Sequence, residues 1–247
     1  MAIVALHRDR LDVDDRTVAY FARLIAGDER DRAARFRFDR DRRRFIVRRG
    51  RLRSLLAEHV GAAPETLAFM VGPFGKPMLA GGPCFSTSHS GERMIVAIAE
   101  VELGCDIERV DETADWRPLA ESVFAAGECA ALRRLSGAAG RQAFFDCWAR
   151  KEAFVKALGK GLSHPLDAFH VSVGRDAALL AGGEGWAIAA ASPEPGYAGA
   201  VVAQDDGLPL EIRWVDRPDQ ARAIRSDLNN RMISTSTGRA TSSASAA

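Results

Sequence analysis

Three carboxylates and one lysine are the side chains of this sequence best suited to handling a charged, oxygen-rich substrate. In GCDIERV, residues 104–110, Asp106 and Glu108 stand two positions apart behind strand-forming residues. In an extended strand, residues i and i+2 share a face, so these two project together while Cys105 and Ile107 turn the other way into a core. Two like charges held side by side repel unless a cation lies between them. A hard divalent ion such as Mg²⁺ takes oxygen ligands and keeps waters that a phosphate can replace. A solvated strand face bridged to nearby arginines is the plainer alternative.

In WARKEAFVKALGKGL, residues 148–162, Glu152 and Lys156 are i,i+4 neighbours on a helix whose Trp148, Phe154, Val155 and Leu158 fall on the buried side. An ordinary surface pair explains that spacing by itself. Lys151 and the Gly159–Gly161 turn add positive charge and backbone amides that suit a phosphate. In STSHSG, residues 86–91, His89 sits between two serines at the end of a strand, where it either binds an anion or is an ordinary surface hydrogen-bonding residue. In GPFGKP, residues 72–77, Gly75 lets the backbone approach a ligand and Lys76 offers a charge, although a turn between strands needs neither.

The elements that must carry these groups follow from periodicity. IVAL opens the chain as a strand, and an arginine-dense helix spans about 30–53, with Phe45, Leu52, Leu55 and Leu56 on its apolar side and a wet, positive face opposite. TLAFMVG reads as a strand, GPFGKPML as a Gly/Pro-rich turn, and CFSTSHSGERMIVAIA as two strands joined at Ser90-Gly91. SVFAAGECAALRRL and RQAFFDCWARKEAFVKALG read as helices, the second ending at Gly159. AFHVSV, GWAIAAA, GAVVAQ and LEIRWV read as strands. The order predicts an α+β protein of two similar α+β halves, 1–110 and 111–225. Residues 226–247, rich in Ser, Thr, Ala and Asn, read as a disordered tail.

Bulk properties agree with a globular protein. The chain has 247 residues, 47% of them apolar, enough for a real core. With 34 basic against 33 acidic residues, charge gives no reason to expect nucleic-acid or membrane-surface binding. Cys84, Cys105, Cys129 and Cys147 show no metal-site spacing and read as reduced thiols of a cytoplasmic protein. The apolar stretch in MAIVALHRDRL is too short for a signal peptide, and MIVAIA at 94–99 is far below membrane-spanning length.

In their chain order, GKP, SHSG, G-x-D-I-E and W-x-x-K-E-A-x-x-K resemble the 4'-phosphopantetheinyl transferases of the surfactin-synthetase-activating type, from about Arg35 to Val173. The resemblance implies a single chain of two related halves in pseudo-twofold arrangement with the active site between them. It implies transfer of the phosphopantetheine arm of coenzyme A to a serine of an apo acyl or peptidyl carrier protein, leaving adenosine 3',5'-bisphosphate. Carried over, Asp106, Glu108 and Glu152 would ligate Mg²⁺ on the pyrophosphate and Lys156 would contact that pyrophosphate. Ser88 and His89 match a phosphate-binding loop, Gly75, Lys76 and Pro77 the segment beside the adenine, and Arg44 with Arg37 and Arg40 the 3'-phosphate contacts. Glu152 is the first choice for the base that deprotonates the carrier serine and Glu128 the second. Asp106 and Glu152 are expected at a wet cleft, a monomer is expected, and Phe124 is either a carrier contact or core. The competing classes are a coenzyme A or carrier-binding module without chemistry, and a metal-dependent phosphohydrolase.

Overall fold

The computed structural model describes residues 2–205 and 210–215; the expected tail at 226–247 lies outside them. Its elements come in two rounds of one order. The first runs β1 (Ile3–Arg10), α1 (Asp15–Leu24), α2 (Gly27–Ala34), α3 (Asp39–Val60), the small hairpin β2 (Phe69–Val71) and β3 (Pro77–Leu79), then β4 (Cys84–Ser90) and β5 (Arg93–Ala99). The second runs β6 (Leu103–Arg109), α4 (Trp116–Val123), α5 (Ala126–Arg133), α6 (Gly137–Leu158), the small pair β7 (His170–Val171) and β8 (Leu179–Ala181), then β9 (Trp186–Ala190) and β10 (Tyr197–Gln204). A last strand, β11 (Glu211–Trp214), returns to lie parallel to β1.

The main sheets have the orders β11-β1-β5-β4 and β6-β10-β9. They do not divide the chain at residue 110: β6, expected in the first half, pairs with β10, and β11, expected in the second, joins β1. Alternation along the strands builds three cores. On β5, Met94, Val96 and Ile98 face the first-round helices and pack with Phe21, Phe45, Leu55 and Leu56. Ile95 and Ala97 face the other way and meet Leu103, Cys105 and Ile107 of β6, as the alternation of GCDIERV predicts. The third core joins α6 to β10 through Phe144, Phe154, Phe169 and Val202.

The arginine-dense segment is not one helix. It breaks after Ala34 and restarts at Asp39, where the Phe36 ring turns in to pack 5.3 Å from that of Phe45. Nor is the face of α3 uniformly wet. Arg51 and Arg53 are buried, Arg53 bonding Glu29 at 2.6 Å and the carbonyls of Pro64 and Leu67. SVFAAGECAALRRL likewise breaks, because the Glu128 carboxylate accepts the Ala125 amide and starts α5 there. Phe124 packs 5.4 Å from Phe144 and is core, not carrier surface.

Two glycines place α6 over β6. A Cβ on Gly104 would overlap the Ala153 carbonyl and the Ala157 nitrogen, so only glycine lets helix and strand come this close. Gly159, at φ 63°, closes α6 in the left-handed conformation and turns the chain beside Lys76. The four cysteines are free; Cys105, Cys129 and Cys147 are buried and Cys84 is partly exposed. Among the described residues no helix is long and apolar enough to cross a membrane.

Candidate active site

Asp106, Glu108, Glu152 and Lys156 lie near enough to one another, beside the glycine contact, for their charges to interact. Asp106 is 3% exposed, buried between β6 and α6 and not at a wet surface as expected. Lys156 donates to its Oδ1 at 2.6 Å and Ser88 at 2.7 Å. The i,i+4 register suggested Glu152 as partner of Lys156, but the close approach at Gly104 brings the ammonium to the strand instead. Burial alone would depress the Lys156 ammonium; Asp106 outweighs it and holds the pKa above the ordinary lysine value.

The second oxygen of Asp106, Oδ2, is buried and has no hydrogen-bond partner among the described residues. An orphaned carboxylate oxygen is costly unless something positive occupies its far side. Glu108 and Glu152 both feel that carboxylate: burial, and then the Asp106 charge, raise Glu108 to about 7 and Glu152 above its ordinary value. Among the described residues no group of three acidic, imidazole or thiol side chains is gathered tightly enough to hold a metal ion by itself. The chemistry of the donors still fits a hard cation shared with a phosphate-bearing ligand, since Mg²⁺ commonly takes one or two carboxylates and fills its shell with phosphate oxygens and water.

The basic side of the cleft differs from expectation. Arg44 is held by Asp12 through two contacts of 2.6 Å, Arg40 lies exposed beside Asp41, and Arg37 lies exposed over the Phe38 ring. Arg48, which the periodicity placed among many arginines without distinction, donates to Nε2 of His89 and forms no ion pair among the described residues. Burial, then Arg49 and Arg32, bring its pKa down to about 10. With Arg32 it lines a cavity of about 620 Å³, which shares Gly75, Pro77 and Thr87 with a second pocket of about 220 Å³ reaching Lys156 and Gly159. Lys76 is occupied, donating to Glu102 at 2.6 Å and to the carbonyls of Leu103 and Ala157.

Because Arg48 donates to Nε2, His89 is neutral. Burial, with Arg48, Lys156 and Arg44, sets its pKa at about 4. An NMR titration of the free protein is expected to show His89 uncharged down to about pH 4. An anion bound beside Arg48 favours the imidazolium, so the same titration with coenzyme A is expected to move the pKa upward. An unchanged value would place the anion elsewhere.

Glu128 is not brought to this group. It is 3% exposed, paired with Lys151 at 2.8 Å, and also accepts from the Ala125 and Val171 amides. Lys151, expected to offer its charge to a phosphate, is fully buried and donates to the carbonyls of Leu166 and Phe169.

Comparison with known proteins decides the family. The model for the 4'-phosphopantetheinyl transferase superfamily matches residues 102–198, the stretch holding Gly104, Asp106, Glu108, Glu152 and Lys156. The chain is 35% identical over 166 residues to the 4'-phosphopantetheinyl transferase HetI of Nostoc sp., 65% of this chain and 70% of that protein. The chain belongs to the 4'-phosphopantetheinyl transferases. To the transferase Sfp of Bacillus subtilis it is 28% identical over 221 residues, 87% of this chain and 97% of that protein. A Synechocystis sp. relative, 35% identical over 149 residues, is matched over 61% of its own length. The transferase reading of the motifs is thereby supported over that of a binding module without chemistry.

Proposed function

We propose that this transferase moves the 4'-phosphopantetheine arm of coenzyme A to the serine hydroxyl of an apo acyl or peptidyl carrier protein. The serine oxygen forms a bond to phosphorus, the pyrophosphate P–O bond breaks, and adenosine 3',5'-bisphosphate leaves with the electron pair. The observation that carries this reading is the buried Asp106, one oxygen held by Lys156 and Ser88 and the other orphaned. Asp106 and Glu108, with Glu152 beside them, would hold Mg²⁺ together with the pyrophosphate. Bound there, the ion would supply Lewis-acid stabilisation of charge on the transferring phosphoryl group. Lys156 meets the same anion as a point charge. Glu152 is the carboxylate assigned to the serine proton; Glu128, committed to Lys151 and two amides, is not used. Arg48, Arg32 and His89 hold the phosphate at the far end of coenzyme A, with Gly75 and Pro77 lining the passage between the two pockets.

The site belongs between two related halves on one chain, which makes a monomer sufficient. The support is topological and extends to single residues. Both rounds have a long helix of 22 residues closed by a left-handed glycine, α3 at Gly61 and α6 at Gly159. Each is preceded by a short helix whose third residue, Glu29 or Glu128, caps its own start and is buried. A cation reaching that carboxylate, Arg53 or Lys151, stands eight residues before the closing glycine in both helices and donates to two carbonyls of the loop that follows, although Glu29 is also held by Arg49.

Incubation with coenzyme A, Mg²⁺ and a panel of apo carriers is expected to raise carrier mass by one phosphopantetheine unit. No mass change with any carrier would reject the reading, and free phosphopantetheine released without a carrier would favour hydrolysis.

A further inference from the structure

β4 and β6 lie side by side but belong to different sheets, and among the described residues no backbone ladder joins them. Serines at alternate positions of β4 take its place. The Cys105 amide donates to Ser86 Oγ at 3.0 Å, Ser88 donates to Asp106 at 2.7 Å, and Ser90 donates to Glu108 Oε2 at 2.8 Å while accepting the Arg109 amide at 3.0 Å. A hydroxyl has one proton. With its oxygen engaged by the Arg109 amide, the proton of Ser90 is directed at Glu108, fixing that carboxylate from one side before any ligand arrives.

We infer that Ser90 is a positioning residue: it holds Glu108 in the orientation from which its free oxygen meets the cation, and thereby sets the affinity for Mg²⁺. The inference rests on the metal reading of Asp106 and Glu108 proposed above. The cause is preorganisation. Without Ser90, Glu108 must be ordered at the moment of binding, and loss of a hydrogen bond to a metal-ligating carboxylate typically weakens metal binding about 10–100-fold.

The test compares wild type, Ser90→Ala and Ser90→Thr by calorimetric titration of Mg²⁺ into protein saturated with coenzyme A, with melting temperatures and steady-state kinetics beside it. Ser90→Ala is expected to weaken Mg²⁺ binding about tenfold or more and to raise the Mg²⁺ needed for half-maximal rate in the same proportion. At saturating Mg²⁺ its kcat and its KM for coenzyme A should return close to wild type, and Ser90→Thr, which keeps the hydroxyl, should restore the affinity. A merely structural serine would lower the melting temperature without that split. Equal Mg²⁺ affinity in wild type and Ser90→Ala overturns the inference and leaves the metal reading standing. A wild-type protein that takes up no Mg²⁺ with coenzyme A overturns the metal reading and the inference together.

Discussion

Asp106→Asn is expected to lower kcat/KM by about a thousandfold or more while leaving the protein folded. The side chain keeps its shape, and its amide oxygen can still accept from Lys156 and Ser88 in place of Oδ1. The amide nitrogen then takes the place of the orphaned Oδ2 and turns two donors toward the spot where a cation belongs. Loss of a metal's charge stabilisation at a transferring phosphoryl group is worth several kcal/mol, and about 4 kcal/mol is that thousandfold. The protein should stay folded, because the Lys156 ammonium keeps the amide oxygen and Ser88 Oγ, at 3.1 Å, as acceptors, and its side chain is 33% exposed. Carrier mass shift against time gives the rate, and thermal melts check the fold. Turnover at the wild-type rate would remove Asp106 from the site.

The second large effect concerns stability. Lys151→Met should cost about 3–5 kcal/mol, because it leaves the Glu128 carboxylate buried without its counter-charge. It also strips the carbonyls of Leu166 and Phe169 of their shared donor. For a chain of this size that lowers the melting temperature by roughly 10 °C. Adding Glu128→Gln to Lys151→Met should raise the melting point again, since the uncompensated charge is gone while an acceptor remains for the Val171 or Ala125 amide. Glu128→Gln alone, assayed well below its melting temperature, should still turn over. A folded Glu128→Gln without activity would return Glu128 to the list of candidate bases.

Local pattern carried much of this structure. The strand alternation of GCDIERV put Cys105 and Ile107 in the core and Asp106 and Glu108 on the opposite face, because a period of two leaves no other choice once one face is buried. The helix ending at Gly159 and the β4–β5 turn were equally legible. Partner choice across the fold was not. Lys156 looked like the i,i+4 partner of Glu152, and only the helix–strand approach at Gly104, which no helical wheel contains, turns it to Asp106. Lys151 looked like a charge for a phosphate and Glu128 like a second candidate base for the same reason, since a buried ion pair between two helices leaves no periodic trace. Arg48 could not be singled out among the eight arginines of α3 until Asp9, Asp12, Asp15, Glu29, Asp39 and Asp41 had claimed the other seven. The signal available was subtractive: an arginine left over after the acidic residues are spent.

The distribution of sulfur has a practical consequence. Of the four thiols only Cys84 is partly exposed, and burial together with Glu102 pushes its pKa up, keeping it mostly protonated near neutrality. A maleimide or disulfide reagent therefore meets one sluggish sulfur in the native protein and four in the unfolded chain. The molecule carries its own unfolding reporter, readable without an engineered label, and mild thiol oxidation should spare every cysteine but one.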